Sequence, residues 1–227
     1  SDVYKRQIVG RSGGFASHVK AHQDWLVPIP TGLEPADAGP LFCGGITVFA
    51  PLFDEGISPT ARVAVIGIGG LGHLALQFAR AWGCEVSALT THPDKAAEAR
   101  RLGAHRVIPL ADLSAHAGAF DLIINTANHP LPWGDVIGAL APLGSLHQLG
   151  VPPAPLQVEA FSLIAGRRRI TGSPTSSPAT LLRMVEFCAR HGIRPMVEHL
   201  PMAELNTAIE RLRRGDVRSR FVLDGPA

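Results

Sequence analysis

The stretch Arg62-Val-Ala-Val-Ile-Gly-Ile-Gly-Gly-Leu-Gly-His-Leu-Ala-Leu-Gln-Phe-Ala-Arg-Ala-Trp-Gly-Cys-Glu-Val-Ser-Ala-Leu89 decides the fold. Arg62 to Ile66 is a short β-branched run, and Gly67 to Gly72 is a tight glycine turn. Leu71, Leu74, Ala75, Phe78 and Ala79 then recur at helical spacing until Gly83 stops them, and Cys84 to Leu89 forms a second apolar run. Strand, turn, helix and strand make one βαβ unit, the crossover that parallel strands require.

Further units follow downstream. Lys95 to Leu102 predicts a helix ending at Gly103, and Arg106 to Ile108 and Phe120 to Asn125 predict strands. Gly134 to Leu140 predicts a helix, and Ser145 to Leu149 a strand ending at Gly150. Such alternation is the signature of an α/β doubly wound parallel sheet. Upstream, Pro35-Ala36-Asp37-Ala38 suits a helix start, with a buried helix around Ile46 to Leu52. Phe15, Val19, Trp25, Leu26, Val27 and Ile29, broken by Gly13-Gly14 and Pro28, suggest irregular β structure. After Ser173-Pro-Thr-Ser-Ser-Pro178 come a helix over Leu181–Ala189, the segment Val197–Pro201, a helix over Leu205–Arg213 and a last strand over Arg220–Leu223. The expected division is a dinucleotide-binding domain over 43–173, set between 1–42 and 174–227 as parts of a discontinuous, mainly β catalytic domain.

Composition narrows the function classes. Hydrophobic residues make up 46% of the 227 and charged residues 18%, which suits a buried sheet and excludes a disordered tail. A formal charge of +2 suggests neither a nucleic-acid nor a membrane surface, and Arg167-Arg168-Arg169 is read as a solvated face. Small molecules are the expected partners. Cys43, Cys84 and Cys188 lack paired spacing, so neither a disulfide framework nor a compact zinc knuckle is implied, and a reducing cytoplasmic location is expected. No apolar run is expected to reach the length of a membrane span. Ser1 to Gln7 has no initiating methionine and no periodicity, and is read as an appendage outside the fold.

The chemistry is concentrated at the glycine turn. Gly67-Ile68-Gly69-Gly70-Leu71-Gly72 is G-x-G-x-x-G between a strand and a helix. In that frame Gly67 makes the turn, Gly69 lets backbone approach a pyrophosphate, and Gly72 lets helix and strand pack closely. The helix N-terminus presents free N–H groups and positive dipole to the phosphates. At the end of the second strand, where an acidic side chain would bind the ribose hydroxyls of NAD, the sequence has Thr90-Thr91-His92-Pro93-Asp94-Lys95. Hydroxyls and a cation there suit the 2′-phosphate of NADP(H), although by pattern alone they also suit a plain N-cap and a solvated lysine. Asp94, inside the loop, is expected to point to solvent.

Four runs carry a resemblance: Leu41-Phe-Cys-Gly-Gly-Ile-Thr-Val-Phe49, Val65-Ile-Gly-Ile-Gly-Gly-Leu-Gly-His73, Phe120-Asp-Leu-Ile-Ile-Asn-Thr126 and Asp216-Val-Arg-Ser-Arg-Phe-Val-Leu-Asp224. In this order they resemble the cinnamyl-alcohol-dehydrogenase branch of the zinc-dependent medium-chain alcohol dehydrogenases, and within it the bacterial NADPH-dependent aldehyde reductases. The resemblance implies a Rossmann domain and hydride transfer between NADPH and an aldehyde/primary alcohol pair at a catalytic zinc. It implies that Cys43 is a zinc ligand, that Thr47 lies by the nicotinamide and that Leu71 packs behind its ring. The glycine turn would hold the pyrophosphate and the Thr90–Lys95 loop the 2′-phosphate, while Thr126, Gly150, Ser173, Pro174 and Thr175 would line the rest of the cleft. Relatives often carry serines at the positions of Thr91 and His92. They also dimerise through the sheet edge matching Leu156 to Thr171, and supply their other zinc ligands from sequence upstream of anything present in this chain.

Other residues have plainer readings. By residue chemistry alone Cys43 would be a small buried hydrophobe. His18 and His22 have metal-like spacing without an adjacent glutamate and are read as satisfied or exposed. His73 is expected to pack or hydrogen-bond at the helix end, and Cys84 and Cys188 to lie in the core. Two alternatives stay open: a zinc-free quinone or enoyl-type medium-chain reductase, and a nucleotide-binding module without turnover.

Overall fold

Six strands pair into one wholly parallel sheet: β1 (Arg62–Ile66), β2 (Glu85–Thr90), β3 (Arg106–Pro109), β4 (Phe120–Asn125), β5 (Leu140–Gln148) and β6 (Arg169–Gly172). The computed structural model describes residues 14–16, 18–217 and 219–225, and the expected appendage over Ser1–Gln7 lies outside them. Strand order is β3-β2-β1-β4-β5-β6. The order reverses between β1 and β4, the switch point beyond whose carboxyl ends open α/β sheets bind ligands. Val65 sits opposite Ala88 on one side and Ile124 on the other, so β1 is central. Its alternate residues feed two cores. Val63 and Val65 join Phe49, Phe78 and Met184, whereas Ala64 and Ile66 join Ile123, Trp133 and Ile137. Burial on both faces explains why the strand lacks apolar–polar alternation.

The helices are α1 (Pro35–Pro40), α2 (Ile46–Asp54), α3 (Gly72–Trp82), α4 (Ala96–Arg101), α5 (Trp133–Gly138), α6 (Ala160–Ile164), α7 (Pro178–His191) and α8 (Leu205–Arg213). A π turn over Leu41–Gly45 joins α1 to α2, so one helical run extends from Pro35 to Asp54, well beyond the expected Ile46–Leu52. By length and composition this run could cross a bilayer. In this fold it is a core helix, with Leu41, Ile46, Val48, Phe49 and Leu52 all buried. Phe49 packs edge-on to Phe78 of α3 and against Phe187 of α7, which locks three helices over one face of the sheet.

Several boundaries differ from the sequence pattern for local reasons. α7 begins at Pro178 because the Ser177 hydroxyl accepts from the N–H of Thr180, and it ends at Gly192, whose φ of 66° closes the helix in the left-handed region. β5 starts at Leu140, before the expected Ser145, and reaches the main ladder through an irregularity around Ala141–Gly144. The tail forms a two-stranded parallel sheet of β7 (Val197–Pro201) and β8 (Arg220–Asp224). The irregular β structure expected near the start is not formed among the described residues. Gln23–Trp25 makes a single 3-10 turn in otherwise irregular chain, and Phe15, Val19, Trp25, Leu26 and Ile29 are exposed.

Candidate cofactor-binding site

A parallel sheet places the carboxyl ends of all its strands along one edge, and the loops after β1, β2, β4, β5 and β6 converge there. At the end of β1, Gly67 adopts φ 85°, a conformation that side-chain-bearing residues rarely take. A Cβ on Gly72 would collide with the Gly67 carbonyl, so only glycine lets the helix start this close to the strand. Gly69 differs from both, since a Cβ there would meet nothing within 4 Å and the backbone lies open. The helical ladder begins with the N–H of His73 to Gly69 and those of Leu74 and Ala75 to Leu71. The N–H groups of Gly70, Leu71 and Gly72 precede it at the positive end of α3, and no side chain caps them. These free N–H groups give the 11-residue helix an open, positive terminus.

The turn is held from β4. Thr126 donates its hydroxyl to the carbonyls of Ile66 and Gly67, at 3.0 and 2.8 Å, and its N–H to Ile66. Its side chain therefore shapes the turn from behind. Gly150 follows the same logic after β5, where a Cβ would strike Ala127 and where its N–H reaches the Asn125 carbonyl at 2.9 Å. Buried Asn125 closes this region by donating to Gln148 and accepting from the N–H of Ala127.

Beside the turn a cleft opens between β1 and β2, lined by Gly67, Ile68, Thr90, Thr91, His92 and Lys95 on one side and Leu110 and His129 on the other. No aspartate or glutamate among the described residues lines it. Thr90 is buried, and its hydroxyl already accepts from the N–H of His92 at 3.0 Å. Thr91, His92 and half-buried Lys95 are accessible, and Asp94 is exposed and outside the lining, as expected. His129 on the facing wall carries no mark in the sequence, because nothing local assigns the loop after β4 to this cleft.

On the other side of the turn, Cys43 is exposed in the π turn, and Thr47 donates its hydroxyl to the Cys43 carbonyl at 2.8 Å. Ser173 bonds to His147, while Pro174 and Thr175 are exposed at the same edge. Arg220, also unmarked in the sequence, lies between these groups. Its Nε donates to the Gly70 carbonyl at 3.1 Å, and a Cβ on Gly44 would stand 2.7 Å from its Nη2. A guanidinium thus joins the π turn to the glycine turn and adds positive charge beside the helix terminus.

The histidines and thiols sort cleanly. His73 is fully buried, with Nδ1 2.9 Å from the Gly69 carbonyl, and burial holds its pKa below the ordinary value. His22 is exposed and accepts from the N–H of Asp24. Burial pushes the Cys84 thiol up to about 11 and the Cys188 thiol up to about 12, so both are inert core groups, as expected. A zinc centre needs three or more protein ligands, and no group of three His, Cys, Asp or Glu side chains that could hold a metal occurs among the described residues. The described residues do not by themselves fit a catalytic zinc.

Residues 70–190 match the model of a family described as zinc-binding dehydrogenases. The chain is 48% identical over 219 residues to aldehyde reductase AdhA of Synechocystis sp., a match covering 95% of the chain and 65% of that protein. It is similar in structure to a cinnamyl alcohol dehydrogenase of Sorghum bicolor, with a TM-score of 0.83 and 36% identity over 89% of the chain and 59% of that structure. A CAD of Helicobacter pylori complexed with NADP(H) aligns with a TM-score of 0.74 and 28% identity, over 86% of the chain and 56% of its own. The chain spans less than two thirds of the length of each. The family match takes in the second half of the glycine turn, the loop after β2 and the Ser173–Thr175 turn, the parts that the carboxyl edge brings together, and it covers more than half of the sequence: the chain belongs to the zinc-binding dehydrogenase family.

Proposed function

We propose that this chain is the NADP(H)-binding part of an oxidoreductase that moves hydride between NADPH and an aldehyde/primary alcohol pair. The observation that carries the proposal is the cleft at the end of β2, where Thr91 and Lys95 stand beside the open glycine turn and no carboxylate is present. The N–H groups of Gly70, Leu71 and Gly72 receive the pyrophosphate, with Arg220 supplying a second positive charge. Thr91 and Lys95 receive the 2′-phosphate, and Thr90 holds the loop through His92. Leu71, Thr47, Gly150 and the Ser173–Thr175 turn are left for the nicotinamide half. Bound NADPH supplies the hydride, and the chain's part is to place it.

The names of the Synechocystis and Sorghum relatives support the aldehyde/alcohol substrate class. Zinc enters no step assigned to this chain, because Cys43 stands without further ligands among the described residues. For this chain by itself the geometry favours cofactor binding without turnover. Residues 1–42 and 174–227 are assigned to a catalytic unit flanking the cofactor domain, which accounts for the exposed apolar side chains of Phe15, Val19, Trp25, Leu26 and Ile29. A second copy is assigned to the free edge of β6, where Phe161 and Ile164 are 74% and 68% exposed. Three free cysteines suit the reducing cytoplasm. The substrate class is tested on the intact gene product by comparing reduction of aliphatic and aromatic aldehydes with oxidation of the matching alcohols. Better reduction at neutral pH supports the assignment, and strict specificity for one polyol or sugar contradicts it.

A further inference from the structure

A polar network between β5, β6 and the end of α2 meets the cofactor cleft only at Ser173, and its other members have no part in the functions assigned above. His147 is 3% exposed on a strand whose neighbouring residue, Leu146, is fully buried. Its Nδ1 lies 2.7 Å from Glu55 Oε1, and its Nε2 lies 3.0 Å from the Ser173 hydroxyl. Thr171 donates its hydroxyl to the same Glu55 oxygen at 2.8 Å, and Ser145 lies 3.3 Å from Thr171. A carboxylate only accepts, so Nδ1 carries the proton toward Glu55, and Nε2 shares the second hydrogen bond with the Ser173 hydroxyl. Hydrogen bonding from His147 holds the Glu55 carboxyl below the ordinary carboxylate value, against the opposing effect of burial.

The position of this network is more informative than its burial. Glu55 is the C-cap of α2, the helix that carries Thr47 and follows the π turn of Cys43. Ser173 is the first residue beyond β6, directly before Pro174 and Thr175 at the carboxyl edge. An ionisable pair with one buried and one half-buried member contributes little net stability compared with apolar residues of the same volume. It does impose a direction, because its hydrogen bonds are satisfied in one arrangement only.

We propose that Glu55 and His147 are positioning residues, which aim the Ser173–Thr175 turn at the nicotinamide half of the cofactor and tie that turn to the helix bearing Cys43 and Thr47. This rests on the reading of the cleft as an NADP(H) site. A network at this place acts on one half of the ligand. The adenosine half, held at the glycine turn and the β2 loop, is out of its reach.

The test uses two ligands, NADPH and adenosine 2′,5′-bisphosphate, titrated against folded wild-type chain, Ser173→Ala, Ser173→Thr and His147→Gln. Ser173→Ala deletes only a hydroxyl, so it keeps the test open if His147→Gln fails to fold. Ser173→Ala is expected to weaken NADPH about fivefold to tenfold, the loss of roughly one hydrogen bond, with bisphosphate affinity unchanged. Ser173→Thr, which keeps the hydroxyl, should restore NADPH binding. Parallel loss of both ligands would reduce the network to a structural role and overturn the proposal, as would unchanged NADPH affinity in folded Ser173→Ala. Wild-type chain that binds neither ligand would instead overturn the cofactor reading on which the proposal stands.

Discussion

The Nε2 of His73 accepts the backbone N–H of Met196 at 3.0 Å, while its Nδ1 faces the Gly69 carbonyl at 2.9 Å. An amide N–H can only donate, so Nε2 must be unprotonated and Nδ1 must donate to Gly69. One buried imidazole therefore joins the glycine turn to the segment that leads into β7. Gln77, one turn on, reinforces the link by donating to the Arg194 carbonyl at 2.9 Å.

Protonation of His73 would set a second N–H against Met196 and break this link. Burial is the main cause of its lowered pKa, with Arg220 adding to the effect and the Gly69 bond and Glu98 opposing it. Below the ordinary histidine value of 6.5, the unfolded chain binds a proton that the folded chain does not. This contribution to stability is whole above that pH and is lost progressively toward the lower folded value. Glu55 behaves oppositely in sign of charge but loses its contribution only below its ordinary 4.5, so the two windows are separate. Urea unfolding from about pH 8 to about pH 5 should show stability falling below about 6.5, and His73→Gln should flatten the fall. Equal slopes in the two proteins would contradict the role given to His73.

Two glycines of the turn should respond in opposite ways. Gly72→Ala drives a methyl into the Gly67 carbonyl and should cost about 2 kcal/mol or more of stability. Gly69→Ala meets nothing and should leave stability within about 0.5 kcal/mol, while reducing NADPH affinity about tenfold or more by blocking the approach of the pyrophosphate. Full affinity in Gly69→Ala would place the phosphates elsewhere.

Thiol titration under native conditions should find one fast cysteine. Cys43 is exposed, whereas Cys84 and Cys188 are buried with thiols pushed up to about 11 and about 12. Cys43→Ser should abolish the fast phase, and a fast phase that survives it would show that the core opens readily.

Metal analysis of the chain should give well under one zinc per molecule, together with no aldehyde-dependent NADPH oxidation, because Cys43 has no partner ligands among the described residues. Stoichiometric zinc that disappears in Cys43→Ser would mean that the ligand set has been misassigned.

The parts of this fold that depend on local periodicity are legible in the sequence, and those that depend on packing are not. β4 occupies the residues that its apolar run predicts, and the G-x-G-x-x-G turn lies between β1 and α3 as its spacing requires. The π turn at Cys43 has no local signal, and its Gly44 leaves room for Arg220 of the distant β8. Arg220 stands 150 residues from the Gly70 carbonyl it meets, a separation that no local pattern spans. His147 does leave a signal. An ionisable residue in a predicted strand of a parallel sheet needs a partner, although only the structure names Glu55, 92 residues away.

The central claim is that the cleft between the glycine turn and the β2 loop is built for a 2′-phosphorylated dinucleotide. Fluorescence titration of the chain with NADPH and with NADH tests it most directly. Charge-assisted hydrogen bonds of about 1.5 to 3 kcal/mol to the extra phosphate should give NADPH a preference of about tenfold or more. Thr91→Ala and Lys95→Ala should each narrow that preference while leaving NADH affinity nearly unchanged. Equal dissociation constants for the two cofactors on folded wild-type chain would contradict the claim.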